Sequence, residues 1–331
     1  MDRKKLYMIG NGHLDPVWLW RWEEGFQANK STFRSVLDRM KEFPDFVFTS
    51  SSAQFYRWIE ENDPAMFQEI RERVQEGRWV LCGGWWVQPD CNIPCGESYA
   101  RHALLGQNYF LEKFGVAART GYNVDSFGHN GMLPQILKKS GMDRYVFMRP
   151  GPHEKELPGW VFRWEAPDGS RVTALRIPFS YGANGNLAQH VEACIPLIPP
   201  DLGAFCSFYG VGNHGGGPTV RNLQEIQAVQ REQDAREDGV EVLLGDPDRF
   251  FDEIRDREEL LPVVKEDLQY HAPGCYSVHS QVKRLNRRAE NALLAAEKWS
   301  VVGERAGGIA YPGSFTQGWE DVDVYKRQPY C

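Results

Sequence analysis

The stretch Leu6-Tyr7-Met8-Ile9-Gly10-Asn11-Gly12-His13-Leu14-Asp15-Pro16-Val17-Trp18 decides how the chain is read. Its first four residues form a short apolar run that reads as a buried strand, and two glycines break it. His13 and Asp15 follow one residue apart, on the same side of an extended segment. In α/β proteins ligands sit beyond the carboxyl ends of parallel strands. An imidazole and a carboxylate placed there can form half of a metal site. Pro16 fixes the exit of the chain, and Trp18 adds a large aromatic face. Alone, a His-x-Asp pair is more often ordinary turn chemistry, so the partners have to come from elsewhere.

Outward from that stretch the same logic repeats. Strands are expected at 46–50, 79–82, 120–125, 144–149, 205–209 and 240–244, with helices at 20–46, 53–62, 64–75, 96–114, 133–140, 220–237 and 248–257. Trp160, Phe162 and Trp164 alternate, Asp168-Gly169 makes a turn, and 172–177 return, which is a hairpin signal. Polar motifs fall just after strands and never just after helices. This predicts a seven-stranded (β/α) barrel with parallel strands, all of whose strand ends converge on one mouth. Near residue 270 the character changes, and 282–303 reads as one long helix that cannot bury its own face. The division expected is a catalytic barrel over 1–270 and the beginning of a helical-bundle domain over 271–331.

Composition narrows the function. The 331 residues carry a net charge of -7 and no long basic run, so nucleic acid and membrane are poor partners. Eleven Trp suit a carbohydrate cleft or an aromatic-rich core. The seven Cys are an odd number without paired C-x-x-C spacing, which argues against a disulfide framework or a zinc knuckle. A soluble, cytoplasmic protein is expected, with homo-oligomerisation left open.

The strand ends carry His13/Asp15, Asp90, Asp125/His129, Arg149 and Asn213/His214. Carboxylates and an imidazole around one pocket support a metal, a paired-carboxylate catalyst, or both. Asp125 sits where an inner strand meets its loop, as a site group or as a turn cap. His129, in Gly-His-Asn, reads more readily as a backbone hydrogen-bonding group. The glycine run around His214 lacks the Gly-Lys-Ser/Thr end of a phosphate loop.

Three ordered motifs carry a family resemblance: Gly12-His13-Leu14-Asp15-Pro16-Val17-Trp18, Gly83-Gly84-Trp85-Trp86-Val87-Gln88-Pro89-Asp90, and Tyr122-Asn123-Val124-Asp125-Ser126-Phe127-Gly128-His129-Asn130. Together they resemble glycoside hydrolase family 38, the α-mannosidases, as does the later Ala272-Pro273-Gly274-Cys275-Tyr276-Ser277. The resemblance implies a retaining exo-α-mannosidase that hydrolyses terminal mannose of oligosaccharides with a zinc ion. It implies zinc ligation by His13, Asp15 and Asp125, with Asp125 also the nucleophile. Trp18 and Phe127 then line the sugar pocket, Arg149 hydrogen-bonds near the nucleophile, and Asp90 and His214 join the substrate-binding set. The acid/base is unassigned, because the glycine loop offers Asn213 and His214 where the family carries an acid. A fourth zinc ligand, a His of a His-Asp pair, is expected beyond this chain, since no such pair follows residue 280. The alternatives are a metal-dependent polysaccharide deacetylase, which lacks its His-x-x-x-His pair here, and a non-catalytic carbohydrate-binding fragment.

Overall fold

In β1 (Lys5–Gly10) Leu6, Met8 and Ile9 are wholly buried, because a neighbouring strand lies on each side. A computed structural model describes residues 3–324 apart from 184, 213 and 214. The elements that follow β1 are α1 (Trp22–Glu42), β2 (Phe48–Ser50), α2 (Ala53–Asn62), α3 (Pro64–Gln75), β3 (Trp79–Leu81), α4 (Gly96–Phe114), β4 (Thr120–Asn123), α5 (Leu133–Lys139) and β5 (Arg144–Phe147). Next come β6 (Val161–Glu165), β7 (Arg171–Arg176), α6 (Leu187–Cys194), β8 (Ala204–Tyr209), α7 (Val220–Ala235), β9 (Glu241–Gly245), α8 (Pro247–Glu253) and β10 (Val263–Val264). Two helices, α9 (Ser280–Gly307) and α10 (Thr316–Val324), end the described chain.

The strand-and-helix alternation holds, but the closed parallel barrel does not. The strands form three sheets, ordered β8-β1-β9, β10-β6-β7-β5-β4 and β2-β3. Most pairs are parallel, with Lys5 opposite Ala204 and Thr120 opposite Arg144. The hairpin expected from the Trp160–Trp164 alternation inserts β6 antiparallel to β7, so the large sheet is mixed. β2 and β3, of three residues each, pair with each other as a separate two-stranded sheet. The gaps are spanned only locally, by an Asn11–Thr49 bridge and by the Gly83 N–H donating to the Thr120 carbonyl at 2.7 Å.

Local chemistry sets the helix ends. The Asp63 carboxylate accepts the Met66 N–H ahead of Pro64 in α3, and Thr219 and Asn222 form a reciprocal capping box on α7. Gly115 takes the left-handed conformation that stops α4. The start of α4 is capped from a distance. Cys95 offers no side-chain cap there, and the fully buried Glu290 of α9 accepts the Cys95 N–H at 3.0 Å and the Ser98 hydroxyl at 2.7 Å. A carboxylate at a helix N-terminus satisfies orphan donors and opposes the helix dipole. α9 is therefore fastened to α4 by polar contacts, reinforced by Arg101 with Glu297 at 2.9 Å.

One glycine ties α1 to the opening motif. A Cβ on Gly25 would come within 3.0 Å of the Asp15 carbonyl oxygen and closer still to the Pro16 carbonyl. Gly25→Ala gains about 1 kcal/mol of helix propensity, but backbone atoms cannot swing aside, and overpacking costs about 1–3 kcal/mol. The clash wins because it also pushes the Asp15 segment off its support. Gly25→Ala is expected to lower the thermal midpoint, while Gly96→Ala, with open space around its Cβ, leaves it unchanged or raised. Equal midpoints for the two variants would refute the close-packing account.

Candidate active site

The exits of β1 and β4 meet. Asn11 holds them together: its amide donates to the Tyr181 carbonyl at 2.7 Å, and its carbonyl accepts the Tyr122 hydroxyl at 3.2 Å. His13 then turns inward beneath Tyr181, with ring centroids 4.9 Å apart. Nε2 of His13 lies 3.3 Å from Oδ1 of Asp15 and 3.6 Å from Oδ2 of Asp125. The His13 side chain is 2% exposed, and neither ring nitrogen has a hydrogen-bond partner. An imidazole left so is costly unless something else satisfies it.

Asp125 is clamped from behind and open in front. Its neighbour Asn123 accepts the Trp85 indole N–H at 3.0 Å and donates to the Pro89 carbonyl at 3.2 Å. Ser126 donates to the same carbonyl at 2.9 Å, and the Gln88 amide oxygen receives the Val124 N–H at 3.3 Å. The segment 83–90 thus braces the loop of the nucleophile candidate, and Trp85 and Trp86 are core residues. The Asp125 side chain itself is 25% exposed, and its Oδ1 accepts the Arg149 Nε–H at 2.8 Å. The Arg149 guanidinium lies over the Phe127 ring at 5.7 Å. Trp18 stands half-exposed, edge-on to Trp20.

The structure therefore brings together His13, Asp15, Asp125, Phe127 and Arg149. Asp90 is buried and bonded within its own loop. Its Oδ1 accepts the N–H groups of Asn92 and Ile93, each at 2.8 Å, and its Oδ2 accepts the Tyr276 hydroxyl at 3.1 Å. Burial pushes its carboxyl up, against the pull of those donors. Asp90 is a loop lock, and Tyr276 joins it to the Phe127 carbonyl at 3.2 Å. His214, with Asn213, lies outside the described residues. His129 is a buried brace: Nε2 meets the Arg149 carbonyl and Nδ1 meets the Tyr145 hydroxyl, both at 2.7 Å. A carbonyl only accepts, so Nε2 carries the proton. Burial drives the His129 pKa down to about 4, which keeps that tautomer neutral.

Sequence reasoning missed His271 and Glu154. Nε2 of His271 is 3.2 Å from Nη1 of Arg149, and its Nδ1 is 2.7 Å from Oε1 of Glu154. The only local signal was the Ala272-Pro273-Gly274 break just after His271, which marks a turn and no chemistry.

Among the described residues no group of three or more His, Cys, Asp or Glu side chains is placed to hold a metal ion. The donor types of His13, Asp15 and Asp125 are nonetheless those that zinc takes. Tetrahedral zinc bonds of about 2.0–2.2 Å put ligand atoms about 3.3–3.6 Å apart, which is the spacing of Nε2 of His13 from both carboxylates. A cation there also gives the orphaned Nε2 its partner.

A parallel-strand mouth that gathers carboxylates, an imidazole and an arginine defines an α/β enzyme site. Residues 3–272 match the family model described as the glycosyl hydrolases family 38 N-terminal domain. Alpha-mannosidase 2C1 of Homo sapiens is 30% identical over 318 residues, covering 94% of this chain and 30% of that protein. Alpha-mannosidase of Saccharomyces cerevisiae is 30% identical over 336 residues, covering 96% and 30%. The crystal structure of an alpha-mannosidase from Enterococcus faecalis V583 superposes with a TM-score of 0.83 at 18% identity, over 99% of this chain and 39% of that one. The chain belongs to glycosyl hydrolase family 38. It spans about 30% of the length of the curated relatives it matches.

Proposed function

We propose that the intact protein is a retaining exo-α-mannosidase that removes terminal α-linked mannose from oligosaccharides, with Asp125 as nucleophile and zinc held by His13, Asp15 and Asp125. Family membership favours glycosidic hydrolysis over deacetylation, and the relatives named above are alpha-mannosidases. The observation that carries the reading is the buried His13 imidazole, without a hydrogen bond and set between two carboxylates.

Zinc, when bound, supplies a cation that orients sugar hydroxyls and offsets the charge of the two carboxylates. The residues of the chain do the rest. Arg149 fixes the plane of the Asp125 carboxylate, so the carboxylate needs no reorganisation as it attacks the anomeric carbon. The glycosidic bond breaks as the Asp125 ester forms, and the leaving oxygen takes a proton from a second carboxyl about 5–5.5 Å from the first. Water then attacks the ester with that second group as base, releasing mannose with its configuration retained and Asp125 ionised again. Trp18 and Phe127 offer apolar faces to the sugar ring. The first-formed anomer decides the matter. Proton NMR of an aryl α-mannoside digest is expected to show α-mannose before mutarotation, and β-mannose appearing first would overturn the retaining mechanism.

A further inference from the structure

Behind Arg149 lies a run of groups that the mechanism above does not use. Arg149 Nε donates to Asp125, and Nη1 reaches Nε2 of His271 at 3.2 Å. A guanidinium has donors and no acceptor, so Nε2 of His271 accepts and carries no proton. The imidazole proton is then on Nδ1, where it is donated to Oε1 of Glu154 at 2.7 Å. Oε2 of Glu154 accepts the Gly151 N–H at 2.8 Å. The loop that carries Glu154 is pinned in turn, because Arg176 donates to the Lys155 carbonyl at 2.8 Å and lies over the Trp160 ring at 5.1 Å.

We propose that Glu154 and His271 are positioning residues for the nucleophile: through the Nδ1 and Nε2 contacts of His271 they hold Arg149 against Asp125. The inference rests on the mannosidase reading and names a control over its nucleophile. The groups facing His271 are Glu154, the Arg149 guanidinium and the edge of the Phe127 ring, with Asp125 beyond Arg149 and His153 beside Glu154. Burial pushes the Glu154 carboxyl up, but the Gly151 N–H and His271 outweigh it and hold the carboxyl below its usual range. The Glu154 anion accepts the Nδ1–H, which leaves Nε2 as the acceptor for Arg149. Without that acceptor Arg149 loses one of its anchors, and Asp125 loses its fixed partner.

The test uses the full-length protein, with an aryl α-mannoside as substrate and, separately, the side-chain Nε–H NMR signal of Arg149 without substrate. His271→Leu is expected to lower kcat about tenfold with little change in KM, the mark of lost positioning. His271→Gln keeps an acceptor for Arg149, so it recovers most of kcat. The Arg149 signal moves in His271→Leu and returns toward its wild-type position in His271→Gln. A His271→Gln variant that loses as much kcat as His271→Leu, or an Arg149 signal unmoved by His271→Leu, overturns the proposal. A wild type that cleaves no α-mannoside sinks the mannosidase reading instead, and the Arg149 signal still decides the relay.

Discussion

Asp125→Asn is expected to lower kcat of the intact protein on α-mannosides by at least about a thousandfold, with the thermal midpoint nearly unchanged. The two halves of the prediction come from the two sides of the residue. Behind it, Asn123, Ser126 and the Gln88–Pro89 brace hold the loop without help from the Asp125 carboxylate. An amide oxygen can also keep accepting the Arg149 Nε–H now received at 2.8 Å. In front, an amide is a far weaker nucleophile than a carboxylate and gives up the charge that faces Nε2 of His13 at 3.6 Å. Lost turnover therefore measures chemistry rather than folding. Steady-state rates beside a melting curve check it. A variant that keeps a tenth of wild-type kcat removes Asp125 from the nucleophile role.

His13→Ala is expected to abolish zinc binding by the intact protein. The imidazole lies between Asp15 and Asp125 and is the nitrogen donor that this chain brings to the proposed set. The loss reads out without any activity assay. Wild type in zinc at a hundred times its dissociation constant gains about 2.7 kcal/mol of stability by mass action. The variant gains none, and emission spectroscopy finds no bound metal after dialysis. In metal-free buffer the comparison runs the other way. The wild-type imidazole is buried without a hydrogen bond, so its removal relieves an unsatisfied group and offsets part of the cavity cost. Zinc stabilising His13→Ala as much as wild type would show that the metal, if any, sits elsewhere.

Much of the site was legible in the chain because its signals are local. His13, Asp15 and Asp125 each follow a strand that ends in a recognisable break, and Arg149 ends another. Their convergence required only that the strands run parallel with their exits on one side, which β1, β4 and β5 do. Asp90 shows the limit of such signals, because an acid after a strand exit has two uses that sequence does not separate. Here its Oδ1 accepts the N–H groups of Asn92 and Ile93. The seven-stranded parallel barrel failed for a related reason. The hairpin was visible, but not that β6 would enter the large sheet through it, between β7 and β10.

The amino-acid sequence by itself determined the alternation of strands and helices, the family, and which residues stand at the strand exits. Apolar period, glycine and proline punctuation and motif order act over a few residues and need no fold to be read. The tertiary structure alone decided that the sheets stay unclosed, that Glu290 of α9 caps α4, and that His271 and Glu154 stand behind Arg149. Those contacts join residues 195, 122 and 117 positions apart. Their partners are chosen by strand register and by the path of the loops around the core, which no local pattern encodes.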